Sequence, residues 1–130
     1  MNADPPGDKG DGPDVGEIIR FDVVDHGAAT RVLHVVGELD TLTSPLLQSR
    51  IAEQLDGIRS LVLDLSDVTF LGSAGLAVLV GAKDDTEARS IRLWVVPGSR
   101  IAMRALEATG LLQLFNVAED VDQALAAAAT

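Results

Sequence analysis

The apolar positions fall into two repeating patterns. Short apolar runs bounded by turn residues alternate with longer stretches of helical spacing. Leu61 to Leu65, broken only by Asp64, reads as a strand buried on both faces, starting near Ser60. Ile18 to His26 and Arg31 to Val36 read as two further strands, and Gly27-Ala28-Ala29-Thr30 between them suits a hairpin. Gly37 to Thr43 reads as a loop. Ser44-Pro45 then opens a helix, with Ser44 as cap and Pro45 at the first helical position. Leu46, Leu47, Ile51 and Leu55 form its apolar face, and Gly57 stops it.

The pattern repeats downstream. A second helix is expected from Ala74 to Thr86, and a fourth strand from Ile91 to Val96, ended by Pro97-Gly98. Ser99 caps a third helix whose inner face is Ile101, Ala102, Ala105, Leu106 and Thr109, with Gly110 as its stop. A short strand follows near Leu114 to Val117. Asp120 caps a last helix to Ala128, with Val121, Leu125 and Ala128 inward. Strands alternating with helices imply an α/β domain. The expected sheet is mixed and mostly parallel, with five strands, an N-terminal antiparallel hairpin and four helices. Met1 to Gly16 is rich in Pro, Gly and Asp and poor in apolar residues. It reads as a disordered acidic tail before a single domain at 17–130.

The chain has 20 acidic and 10 basic residues, a formal charge of −10, which argues against direct nucleic-acid binding and against an anionic membrane surface. It has no cysteine, which excludes disulfides, thiolate chemistry and cysteine-based zinc sites. No signal peptide or spanning segment is read from the sequence, so a soluble, cytoplasmic protein is expected.

The strand at Leu61 to Leu65 leads, through Ser66 to Leu71, to a turn of small residues, Gly72-Ser73-Ala74-Gly75, and an apolar run from Leu76 to Val80. A serine hydroxyl is thus presented where a strand hands over to a helix. A phosphate there would meet unpaired N–H groups and the positive end of the helix dipole. The simpler role for Ser73 is a helix N-cap, and the two are compatible.

Two motifs, Gly37-Glu38-Leu39-Asp40 after the second strand and Phe70-Leu71-Gly72-Ser73-Ala74-Gly75-Leu76 after the third, resemble the STAS family and, within it, the anti-sigma factor antagonists. The resemblance spans Ile18 to Ala126. It implies a STAS-like fold and phosphorylation at Ser73. It also implies a partner surface including Gly37, Glu38, Asp40, Gly72, Ala74, Gly75 and Leu76. The implied partners are an anti-sigma factor with serine kinase activity and a PP2C-type phosphatase. The implied role is a switch that binds the anti-sigma factor when unphosphorylated and so regulates sigma-factor-dependent transcription. The sequence departs from the family at two places: Gly72 replaces a common Asp, and Ala74 replaces a frequent second hydroxyl. A non-switching STAS adaptor in a signalling or transport assembly is the alternative.

Enzymatic roles fail on inventory. Leu71 stands where a nucleophile elbow needs its first glycine, and no motif ties His26 or His34 to Ser73. No phosphate-cradling Gly-Lys-Ser/Thr loop occurs. Asp64 could mimic the acceptor of a receiver domain. That fold also needs an acidic pair after its first strand and a late lysine, whereas Asp25 is isolated and no lysine follows Lys83. No cofactor and no metal are expected.

Overall fold

The computed structural model describes residues 18–129, so the expected tail lies outside the described residues. Five strands form one sheet: β1 (Ile19–His26), β2 (Thr30–Leu39), β3 (Ser60–Leu71), β4 (Arg92–Val96) and β5 (Asn116–Val117). They lie side by side in chain order. β1 runs antiparallel to β2, and every later pair is parallel. Four helices connect or follow the strands: α1 (Ser44–Glu53), α2 (Ser73–Ala88), α3 (Arg100–Ala108) and α4 (Val121–Ala128), with a short 3-10 turn at Leu111–Leu114.

Period-two alternation in the strands divides the core into two layers. Leu33 and Val35 of β2, Leu61, Leu63 and Leu65 of β3, and Leu93 and Val95 of β4 pack with Leu47, Ile51, Leu79 and Leu106 of α1, α2 and α3. Val32, Val62 and Val96 face the other way, against Ala118 and Ala124 of the α4 segment, with Trp94 at the margin. β3 is central and buried on both faces, which explains its apolar run. Each fully buried leucine here contributes about 1.5–3 kcal/mol of transfer free energy.

Several expected boundaries move, each for a local reason. β2 continues to Leu39, so Gly37 and Glu38 lie in a strand rather than a loop. The pairing with β3 slips between His34 and Val36 and again between Gly37 and Glu38, and such irregularities hide a strand's alternation. Gly37 has φ +122°, and a Cβ there would lie 1.9 Å from the Ile18 carbonyl oxygen, so only glycine lets β1 and β2 close. β3 continues past Leu65 to Leu71; its outer half alternates buried Val68 and Leu71 with exposed Asp67, Thr69 and Phe70. The N-cap of α1 is Thr43 rather than Ser44, which is the first helical residue and is buried. Leu46 turns outward, because the buried stripe is carried by Ser44, Leu47 and Ile51.

In α3 the buried stripe is Ala102 and Leu106, one turn apart, so Ile101 and Thr109 are exposed. Ser99 does cap α3, accepting from the Ala102 N–H at 3.2 Å, and Asp120 caps α4, accepting from the Gln123 N–H at 2.8 Å. In α4 only Ala124 is fully buried; Val121, Leu125 and Ala128 are half-buried. The last strand is shorter than expected, because Leu111–Leu114 winds into the 3-10 turn and leaves Asn116 and Val117 to pair with Trp94 and Val95.

Candidate functional site

Because β2 and β3 are parallel neighbours, their outgoing ends lie together. Glu38 pairs in register with Phe70, and Leu39 with Leu71. The Gly72 N–H then donates to the Leu39 carbonyl at 3.0 Å, which joins the two sequence motifs. α2 starts at once: Gly72 is its N-cap in an extended conformation, and the Leu76 N–H donates to the Gly72 carbonyl at 3.0 Å. Ser73 is therefore the first helical residue rather than the cap. Its side chain is exposed, and its hydroxyl makes no hydrogen bond among the described residues. Gly72 has no side chain to cap the helix, so the N–H groups of Ser73, Ala74 and Gly75 are left to solvent or a ligand. An anion on the Ser73 oxygen would sit beside these donors and the positive end of the helix dipole.

Gly75 and Leu76 do not line an open surface. Gly75 is buried, and a Cβ there would lie 2.8 Å from the Leu71 side chain and 3.0 Å from Leu39 Cβ. Leu76 is buried in the main core. Both support the turn from beneath, and Ala74 is half-buried beside them. Exposed apolar surface comes instead from residues the sequence reading passed over: Phe70, 49% exposed, and Leu42, 59% exposed. The Phe70 ring lies over Gly72, where a Cβ would meet it at 3.0 Å. The signal was present in the motif itself, since Phe70 heads it, but its exposure depends on the outer half of β3.

Asp40 organises the entry to α1. Its Oδ1 accepts from the Leu42 and Thr43 N–H groups, each at 2.9 Å. Thr43 is fully buried. Its hydroxyl donates to the Glu38 carbonyl at 2.6 Å and accepts from the Asp40 N–H at 2.9 Å, closing a small network around the turn. The Thr43 N–H, with further hydrogen bonds from the Thr43 hydroxyl and the Leu42 N–H, holds the Asp40 carboxyl below its ordinary value against an opposing effect of burial. The Asp-x-x-Thr spacing ahead of a helix was the available signal for Thr43. Glu38 projects from the same strand end and is exposed.

A second polar group lies on the sheet itself. The Asp64 carboxylate contacts His34 Nδ1 at 2.7 Å and accepts from the Ser66 hydroxyl and N–H. The carboxylate sits between the other two, so the histidine does not touch the serine and no nucleophile–base pair forms. Among the described residues no group of His, Asp and Glu is arranged to hold a metal ion, and no helix is long and apolar enough to cross a membrane.

The STAS domain family model matches residues 21–124. The chain belongs to the STAS domain family. It is 34% identical over 108 residues to the anti-sigma-F factor antagonist RsfB of Mycobacterium tuberculosis, covering 82% of this chain and 87% of that protein. It is 32% identical over 89 residues to the anti-sigma-B factor antagonist of Staphylococcus aureus, covering 68% of this chain and 82% of that one. A solved anti-sigma factor antagonist from Mycobacterium paratuberculosis superposes with a TM-score of 0.75 at 32% identity, over 86% of this chain and 95% of the other. The STAS fold expected from the two motifs is thus the fold observed: a mixed five-stranded sheet, an antiparallel opening hairpin and four helices.

Proposed function

We propose that this STAS domain is an anti-sigma factor antagonist in the cytoplasm and acts by binding rather than catalysis. Its partner is an anti-sigma factor with serine kinase activity, held at the end of the sheet that carries Ser73, Glu38 and the Asp40 turn. Phosphorylation of Ser73 ends the complex, and a PP2C-type phosphatase restores it. One observation carries the reading: Ser73 presents an exposed, unengaged hydroxyl on the first turn of α2, with no capping side chain competing for the helix donors. The names of the RsfB and anti-sigma-B relatives support an anti-sigma factor as the partner.

In the transfer, the Ser73 oxygen bonds to the γ-phosphorus of ATP. The bond to ADP breaks, and the hydroxyl proton leaves to a base. No acid of this chain bonds the Ser73 hydroxyl among the described residues, so the kinase supplies that base. The product adds about two negative charges. Within the domain these sit at a helix N-terminus, which is favourable. At an interface they are bulky and need new partners, and each ~1.4 kcal/mol of mismatch lowers affinity tenfold. Local occlusion is enough for a switch.

Gly72 shapes the same site. It provides no carboxylate beside Ser73, and the Phe70 ring fills that side. Asp40 acts by holding the turn that places Glu38 and Leu42. The test is incubation with ATP and the cognate kinase, then phosphosite mapping. Incorporation at Ser73 with loss of the complex supports the switch. A stable complex without transfer makes the protein an adaptor.

A further inference from the structure

The end of the sheet opposite Ser73 holds a different kind of surface. The register places four hydrogen-bonding side chains in one row across four strands. His26 of β1 pairs with Thr30 of β2, Thr30 with Ser60 of β3, and Ser60 with Arg92 of β4. Paired residues share a face, so the row points toward the α4 side of the sheet. The C-terminal end of α4, at Ala128, lines one side of it, and Arg59 and Ser90 flank it around a half-open cavity of about 620 Å³. That volume is in the range of small-molecule sites.

We propose that this cavity binds the phosphate group of a small molecule. The charge of the lining is the first reason. The chain has twice as many acidic as basic residues, yet no carboxylate among the described residues lines the cavity. Acids on the adjoining segments are engaged elsewhere: Asp25 pairs with Arg31 at 2.6 Å, and Asp56 with Arg89 at 3.0 Å. The guanidinium groups are the second. Arg92 is held in place by donating to the Ala127 carbonyl at 3.3 Å and by lying over the Trp94 ring at 5.7 Å. That bond also engages an α4 carbonyl, one of the groups at a helix C-terminus that repel an anion. Arg59 has no ion pair among the described residues, and its planar donors suit a phosphate oxygen pair. Ser60 is the third. It is 3% exposed as a residue and lines the cavity at the centre of the row. A serine hydroxyl beside two guanidinium groups is a further donor for a phosphate oxygen.

The test is an amide-resolved NMR titration of the full chain with inorganic phosphate and with ribose 5-phosphate. Saturable shifts should map to Thr30, Ser60 and Arg92 and leave Ser73 unmoved. Tighter binding of the sugar phosphate identifies a metabolite as the ligand, and equal binding identifies free phosphate. Arg59→Glu should abolish the shifts, and Ser60→Ala should weaken them about fivefold while the domain still folds. Arg104→Ala on α3 and Ser73→Ala should bind as the parent does, which separates this site from the proposed switch. Shifts that never saturate, that survive Arg59→Glu, or that fall equally with Arg104→Ala overturn the proposal.

Discussion

The Gly72 amide and the Leu39 carbonyl are joined at 3.0 Å, and this bond turns two separate loops into one site. Leu39 ends β2 and is followed by the Asp40 turn; Gly72 ends the β3 segment and caps α2. In a parallel pair the outgoing ends always meet, so the topology brings the motifs together and the hydrogen bond sets their spacing. Ser73 then sits one residue beyond a fixed point. The β2–β3 register and this bond together set the backbone on which Ser73 is presented.

Gly37→Ala tests how far that rigidity depends on the bulged end of β2. The new Cβ would sit 1.9 Å from the Ile18 carbonyl oxygen, at φ +122°. No rotamer relieves a backbone clash, so β1 and β2 must separate locally. A loss of about 3 kcal/mol or more is expected from combined strain and broken pairing. Chemical denaturation followed by Trp94 fluorescence measures it. A variant within about 0.5 kcal/mol of the parent would show that the strand end adjusts freely.

Asp40 gives the turn an acid dependence with a defined sign. Its folded carboxyl is held below the ordinary value of 3.8, chiefly by the Thr43 N–H. A depressed folded value means that the ionised group's stabilisation is complete above the unfolded value. It is lost as pH falls through the folded one. Asp40→Asn keeps an acceptor but removes the charge. The gap in denaturation midpoint between parent and variant should therefore close as pH is lowered from neutral to about pH 2. A gap that stays constant over that range would remove the ionised carboxylate from the account.

The sequence carried the sheet and helix order because its main signals are local. Leu61 to Leu65 alternates with helical runs, and the caps at Ser99 and Asp120 need only a few residues to form. The features it hid depend on distant partners. The outer half of β3 is polar on its exposed face, so it reads as loop until β2 is placed beside it. Thr43 replaces Ser44 as cap because Asp40 and Glu38 hold its side chain, a contact set by the end of β2. At this end of the sheet, the strand-to-helix turn at Gly72-Ser73 was legible from its small residues, whereas the burial of Leu76 and Gly75 and the exposure of Phe70 follow from packing. The His26–Thr30–Ser60–Arg92 row has no local signature, because strand register creates it.

Ser90 is a site for gain of stability. It ends α2 at φ +59°, with its N–H on the Glu87 carbonyl at 3.1 Å and the Ile91 N–H on the Thr86 carbonyl at 2.8 Å. This is the left-handed helix stop that glycine usually fills. Ser90→Gly should relieve the strain, partly offset by the greater freedom of glycine in the unfolded chain. A net gain of about 0.5 kcal/mol is expected. Denaturant midpoints of parent and variant decide it, and a loss would place a stabilising role on the Ser90 side chain.

The switch itself is tested by separating charge from shape at Ser73 and from apolar contact at Phe70. Ser73→Ala removes a hydroxyl that bonds nothing among the described residues, so it should fold as the parent does, bind the anti-sigma factor and resist phosphorylation. Ser73→Glu should fold nearly as well, since an acid on the first helical turn is favourable, yet bind at least tenfold more weakly. Phe70→Ser should also weaken binding, through lost apolar contact, while leaving phosphorylation on Ser73 chemically possible; its ring is half exposed, so the fold tolerates the change. Calorimetric titration of each variant against the kinase, with phosphate incorporation measured in parallel, separates the three effects. Parent-like binding by Ser73→Glu would end the switch hypothesis, and parent-like binding by Phe70→Ser would move the contact surface away from the end of β3.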